Sequence, residues 1–164
     1  MKKWFRLMAV LFIGILLTGS CSSIDCPSEN LVLAHYRFHN ADGDSLVRTD
    51  TVSVISWGKD GEEVTVLNKT ADKASFYLPV SYSHPEDLLV FDFTDGDVHS
   101  YDTVWVKKED IPHFESVDCN AKFFHRLTDV RYTTHVFDSI VIKNSFVDFN
   151  NATVHFYVYP KHTD

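Results

Sequence analysis

Hydrophobic and polar residues alternate with a period of two along most of the chain after residue 30. This alternation sends successive side chains to opposite faces and is typical of strands with one buried face. No stretch of about ten residues keeps the 3.6-residue period of a surface helix. The pattern predicts strands over residues 31–38, 51–57, 63–67, 74–80, 88–93, 101–106, 114–117, 122–125, 133–137, 140–142 and 153–159.

Turn-forming residues separate these runs. Asn40-Ala41-Asp42-Gly43-Asp44 and Asp95-Gly96-Asp97 are the clearest examples, since Asn, Asp and Gly favour tight turns. About eight to ten short strands at such spacing predict an all-β fold. We expect a single antiparallel β-sandwich over residues 30–160, either immunoglobulin-like or jelly-roll-like.

The first twenty residues form a separate unit. Lys2, Lys3 and Arg6 give a basic head, and residues 7–17 are uncharged and mostly apolar. A membrane-spanning helix needs about 20 apolar residues, so this run is too short to span a bilayer. A basic head before a short apolar run predicts a secretory signal peptide over residues 1–20.

Residues 17–21, Leu-Thr-Gly-Ser-Cys, resemble a bacterial lipobox. In that motif small residues precede a Cys that is lipidated and becomes the mature N-terminus; Thr18 stands where Leu is commoner. The resemblance implies acyl chains, palmitate among them, on Cys21, followed by a polar tether over residues 21–29. Two or more chains hold a protein stably on a membrane. The alternative is an ordinary secreted protein in which this Cys is incidental.

The net negative charge of the chain argues against some classes of binding partner. The 164-residue chain has a net charge of −8 and a pI near 5.5, which argues against nucleic-acid binding. Loss of residues 1–20 removes three cationic and no acidic side chains, so the mature domain carries −11. Anionic lipid headgroups repel such a domain, so the lipid itself must anchor it.

The two other Cys residues, Cys26 and Cys119, lie in a chain that is predicted to be exported. Disulfides persist outside the cytosol. Neither Cys belongs to a C-x-x-C motif or lies near a His at metal-ligand spacing. The sequence therefore predicts a Cys26–Cys119 disulfide.

Candidate metal and catalytic motifs fail on inspection. The Asn40-x-Asp42-x-Asp44 start of a calcium loop lacks Gly at the sixth position and Glu at the twelfth. His35 and His39 share a strand face without a third ligand. No nucleophile elbow, zinc-protease motif or phosphate loop occurs. We expect no metal, no cofactor and no catalysis.

The aromatic residues suggest one alternative, a site for sugars. Trp57, Trp105, Tyr77 and Tyr82 could stack on sugar rings, whereas the thirteen Phe residues favour a core. A separate pattern, Asp followed by Ser or Thr and an apolar residue, resembles the O-glycosylation acceptor of exported Bacteroidota proteins. Turn chemistry explains the same pattern. Its acceptors would be Ser45, Thr51, Thr103 and Ser139.

Several stretches together resemble a family of uncharacterised Bacteroidota lipoproteins, classed as a domain of unknown function, over about residues 21–160. These stretches are the lipobox with Cys26, Asp102-Thr103-Val104, residues 113–119 and residues 136–144. The resemblance implies an exported lipoprotein with paired Cys residues and a β-rich domain. It implies no active site and no ligand.

Taken together, these observations predict a non-catalytic protein, lipid-anchored in the cell envelope, most naturally at the outer membrane of a Bacteroidota-type bacterium. Its expected role is structural or protein-binding, with an envelope protein as partner. The alternative is a glycan-binding accessory lipoprotein.

Overall fold

The computed structural model describes residues 31–114, 116, 119 and 121–161, and this part of the chain contains ten strands. Within it, no helix is long and apolar enough to cross a membrane. The strands are β1 (Leu33–Phe38), β2 (Thr51–Trp57), β3 (Glu63–Thr70), β4 (Ser75–Pro79), β5 (Glu86–Asp95), β6 (Val98–His113), β7 (Lys122–Tyr132), β8 (Phe137–Ile142), β9 (Phe146–Val147) and β10 (Phe156–Pro160).

The strands form two sheets packed face to face. The smaller sheet has the order β4-β1-β10-β8 and the larger has the order β3-β2-β5-β6-β7-β9. The expected all-β sandwich is therefore confirmed. One pair departs from the antiparallel pattern, because β1 and β10 run parallel, with Tyr36 opposite Phe156.

The core lies between the sheets and follows the alternation of the sequence. Tyr36 and Phe38 of β1 are buried, and so are Phe91 and Phe93 of β5 in the opposite sheet. The ring centroids of Phe91 and Phe137 lie 5.3 Å apart in an edge-on arrangement that links the two sheets. Burial of such aromatic side chains supplies most of the favourable free energy of folding.

The sandwich has two ends with different contents. We call the end at which β1 begins the entry end; it holds residues 31–32, 80–86, 108–114 and 143–154. The backbone amide of Val80 donates to the Val32 carbonyl there, at 3.0 Å. We call the opposite end, with residues 39–50, 71–74, 95–98 and 133–136, the far end. The predicted turns at 40–44 and 95–97 both lie at the far end, and Gly43 there has a φ of 86°.

The β6–β7 hairpin extends beyond β5 at the entry end, where β9 pairs with the outer edge of β7. The first residue of β5, Glu86, pairs with Lys107, whereas β6 continues to His113, opposite Lys122 of β7. Six residues of β6 therefore extend past β5, which corresponds to about 20 Å of strand.

Two predicted strands are wrong over their described residues. The stretch 114–117 was expected to be a strand, but β6 ends at His113, and neither of the described residues of the stretch, 114 and 116, lies in a strand. The stretch 133–137 was expected to be another, but residues 133–136 form a loop and β8 starts only at Phe137. In the second case a buried carboxylate takes the hydrogen bonds that a neighbouring strand would have made, as described below.

Candidate functional site

An open groove of about 800 Å³ lies at the far end of the sandwich. Apolar side chains, Phe93 and Val136 among them, line it together with the exposed Val47 and Val98. Its polar residues include Arg48, Asp50, Asp95, His135 and Lys161. Because the residues come from four separate stretches of the chain, no local sequence motif marks the groove.

Arg48 is the most constrained polar residue of the groove. Its guanidinium lies 5.0 Å from the ring centre of Phe93 and 5.7 Å from that of Phe38. It also forms a bidentate pair with Asp50, in which Nε donates to Oδ1 at 2.7 Å. Cation–π contact and bidentate pairing hold the guanidinium in one orientation. Arg48 and Asp50 therefore form a fixed polar wall of the groove, and their opposite charges largely cancel.

The opposite wall is the loop 133–136, and the buried carboxylate of Asp102 holds it. Oδ1 accepts from the Thr133 hydroxyl at 2.6 Å and from the His135 amide at 2.8 Å. Oδ2 accepts from the amides of Val136 and Phe137 at 2.7 and 2.8 Å. Burial acts to raise the pKa of Asp102, but these hydrogen bonds outweigh it and hold the pKa below its usual value. Asp102 is thus an ionised loop anchor.

A second charged cluster lies at the entry end, between the sheets. The Lys108 ammonium is fully buried and donates to the His84 carbonyl. It lies 3.6 Å from Oδ1 of Asp87 and 3.7 Å from Oδ1 of Asp110, which also binds Nδ1 of His125 at 2.7 Å. Burial raises the pKa of Asp87 to about 6, against the opposing charge of Lys108.

The Asp110–His125 pair resembles part of a catalytic site, but its position rules out that use in this conformation. Only 1% of His125 is exposed, so a substrate cannot contact the imidazole. The cluster is explained by packing: it satisfies charges that the long β6 and β7 strands bring into the interior.

Two further His residues are buried on the outer side of the smaller sheet, under the loop 148–154. The backbone amide of His35 donates to Nδ1 of His155 at 2.9 Å. The His35 ring stacks on Tyr77 at 4.3 Å, and the Tyr77 hydroxyl donates to the Asn151 carbonyl in the covering loop. Because Nδ1 of His155 accepts this hydrogen bond, it carries no proton. The folded state therefore requires the neutral imidazole at His155.

Acidification is expected to destabilise the fold. Burial lowers the pKa values of His35, His125 and His155. In the unfolded chain these His residues are protonated as the pH falls through about 6.5, whereas in the folded protein they stay neutral to lower pH. The free energy of unfolding that is present above pH 6.5 is therefore lost as the pH falls. Asp87 has the opposite effect, because its pKa is raised from 3.8 to about 6 in the fold, so protonation of Asp87 stabilises the folded protein as the pH falls between these values. This single carboxyl offsets the effect of only one His.

Urea unfolding should therefore show a loss of about 1–3 kcal/mol between pH 7 and pH 5.5. The variant His155→Asn keeps an acceptor near the position of Nδ1 without titrating, so its pH dependence should be shallower. His84→Asn, at a half-buried His in the entry-end loop, serves as the control and should leave the dependence unchanged. Equal stability of the parent at both pH values would contradict the neutral-His account.

The sequence-predicted sites fall on both described and undescribed residues. Cys21 and Cys26 lie outside the described residues, so the lipid attachment and the Cys26–Cys119 bridge stay predictions. Of the four predicted glycosylation acceptors, Ser45 is exposed in the far-end loop, while the others are half-buried in strands: Thr51 in β2, Thr103 in β6 and Ser139 in β8. Their modification also stays a prediction, with Ser45 the most accessible.

The predicted sugar-stacking residues do not meet at one site. Tyr77 lies on the smaller sheet against His35, and Tyr82 lies at the entry end, stacked on Phe123 at 5.4 Å. Trp57 and Trp105 share the outer face of the larger sheet, with Leu88 of β5 opposite Trp105. Among the described residues, no three His, Cys, Asp or Glu side chains gather as metal ligands.

Comparison with known proteins gives one match. A family model described as a family of unknown function (DUF6452) matches residues 49–160. No curated protein and no solved structure matches the chain. The matched stretch covers β2 to β10, Asp102 with the loop 133–136, the charged cluster around Lys108 and most of the far-end groove.

Proposed function

The chain belongs to a family of unknown function (DUF6452), and from that premise we propose that it is a non-catalytic lipoprotein that binds a protein partner in the cell envelope. Acyl chains on Cys21 anchor it, at the outer membrane of a Bacteroidota-type bacterium. The far-end groove receives a segment of the partner.

The position of the groove supports this proposal most. The chain enters the sandwich at Leu31, two residues before β1, and β1 then runs away from that point to the far end. A domain held by a tether at its entry end presents its far end to the space beyond the membrane. The groove therefore lies where an envelope partner can reach it.

The chemistry of the groove favours a polypeptide segment as its occupant. Val47 and Val98 offer apolar contact, while Asp95 and Lys161 offer both charges. Protein interfaces combine an apolar centre with a polar rim in this way. The groove volume of about 800 Å³ lies within the usual range of ligand sites, so it has room for a short peptide segment.

The charged clusters support a non-catalytic role. Among the described residues, the titratable groups with perturbed pKa values are Tyr36, Asp87, Asp102, His35, His125 and His155, and all have structural partners. Perturbed groups of an active site would face a cleft. None of these is a lining residue of the far-end groove.

A second candidate function, glycan binding, is favoured by one observation. Trp57, about 36% exposed, and Trp105 lie on one sheet face, two strands apart, which corresponds to about 10 Å. However, the Arg131 guanidinium covers Trp105 at 5.3 Å and is itself bound by Glu86. Glycan binding that is lost in Trp57→Ala and kept in a groove variant would favour this candidate.

The anchoring part of the proposal is tested by Cys21→Ala. The lipid is the proposed anchor, so variant protein from which the signal peptide has been removed should leave the membrane fraction, while the parent stays in it. Cys26→Ser, five residues further along, is the matched control and should remain membrane-bound. Cell fractionation with mass spectrometry of the mature N-terminal peptide measures both. A Cys21→Ala protein that is processed and still membrane-bound would contradict the anchor.

A further inference from the structure

The entry end carries exposed apolar side chains that the proposed function leaves unused. Leu31, Tyr82 and Phe114 are 69%, 68% and 66% exposed. Phe146 and Phe149 are also exposed at this end. The ring centroid of Phe124 lies 5.8 Å from that of Phe146 and 5.0 Å from that of Phe149. We call these five residues the apolar tip.

The tip is rigidly supported. His113, the last residue of β6, stacks on Phe124 of β7 at 4.3 Å. The Lys122 ammonium lies 4.8 Å from the Phe149 ring centre. The tip thus lies around the outer end of the β6–β7 hairpin, and large exposed aromatics on such a support mark an interaction surface.

The length of the tether identifies the surface that the tip meets. Leu31 lies ten positions after Cys21, a span of about 35 Å when fully extended and about 18 Å on average for a flexible chain. The hairpin extends about 20 Å past β5 at this same end. A lipid at Cys21 therefore holds the tip within reach of the bilayer.

We propose that the apolar tip inserts into the headgroup region of the membrane that holds the lipid anchor, so that the domain stands upright with its groove facing away. The inference rests on the proposed anchor at Cys21. Phe and Tyr side chains partition well into this region. Because the mature domain is acidic, the fitting surface is zwitterionic rather than anionic.

The test uses the lipidated protein in vesicles of zwitterionic phospholipid with brominated acyl chains, which quench Trp fluorescence on contact. In a background of Trp57→Phe and Trp105→Phe, one protein carries Phe114→Trp and the other carries Val98→Trp. The two positions are equally exposed and lie at or beyond opposite ends of β6, which is 16 residues long, about 50 Å. Quenching is expected for Phe114→Trp and not for Val98→Trp.

Each other outcome overturns the inference in its own way. Protein that stays on the vesicles with both Trp residues unquenched keeps the anchor and excludes the tip contact. Equal quenching of both excludes the upright orientation. A concentration-dependent dimer whose Phe114→Trp emission shifts to the blue without quenching assigns the tip to a second copy. Protein that does not stay on the vesicles excludes the anchor, and the tip contact with it.

Discussion

Replacing Asp102 by Asn is expected to cost about 3–5 kcal/mol of folding stability. The two carboxylate oxygens accept four hydrogen bonds from residues 133–137. In the variant an amide NH₂ must face either two backbone amides or an amide and a hydroxyl. Facing the Val136 and Phe137 amides, the NH₂ loses two hydrogen bonds; facing Thr133 and His135, it loses the one to the backbone amide while the hydroxyl must turn to accept. In both cases donors face donors in a buried site.

Chemical denaturation at pH 7 measures this loss. Asp129→Asn, an exposed carboxylate on the adjacent strand β7, is the matched control and should change stability by less than about 0.5 kcal/mol. Because the pKa of Asp102 is lowered in the fold, its contribution is present above its usual pKa and is lost as the pH falls below it. A cost for Asp102→Asn as small as that of the control would show that the loop holds without the carboxylate.

Replacing Lys108 by Met is expected to cost a similar amount, about 3–5 kcal/mol at pH 7. The change leaves the buried Asp87 and the half-buried Asp110 near one another without the lysine cation, and the His84 carbonyl without its donor. Lys107→Met is the matched control, since Lys107 is the preceding residue, is exposed and points to the opposite face. It should cost little.

The pH dependence of this loss identifies its electrostatic origin. Burial already raises the pKa of Asp87 to about 6 with Lys108 present, and removal of the cation raises it further. A raised carboxyl pKa gives stability that is lost as the pH increases through that pKa. The cost of Lys108→Met, relative to the parent at the same pH, should therefore be smaller at pH 5 than at pH 7. The double variant with Asp87→Asn should recover part of the loss, and a pH-independent cost without recovery would assign it to packing alone.

The sequence predicted the strands whose two faces differ. In β1 and β10 one of the two alternating faces forms the core, with Tyr36 and Phe38, and Phe156 and Val158, buried between the sheets. The full length of β6 escaped prediction because its second half reads Lys-Lys-Glu-Asp. Such a run resembles a solvated turn unless its charges pair with one another inside the fold, as Lys108 does.

The candidate site could not be predicted in the same way. The groove depends on where two loops meet, and the loop 133–136 depends on Asp102, which the sequence presented as part of a glycosylation pattern. The burial of His35 and His155 was missed for a related reason. Alternation placed both on the outer face of a sheet, and only the long-range contact between Tyr77 and Asn151 shows that a loop covers them.

Site-specific photo-cross-linking in intact cells tests the central proposal of a partner in the far-end groove most directly. The cross-linking amino acid replaces Val47 or Val98 in the groove, or, as the control, Val64 on β3, which is exposed outside it. We expect positions 47 and 98 to give an adduct with the same envelope protein and position 64 to give none. Absence of an adduct from both groove positions, or the same adduct from position 64, would contradict the groove as the binding site.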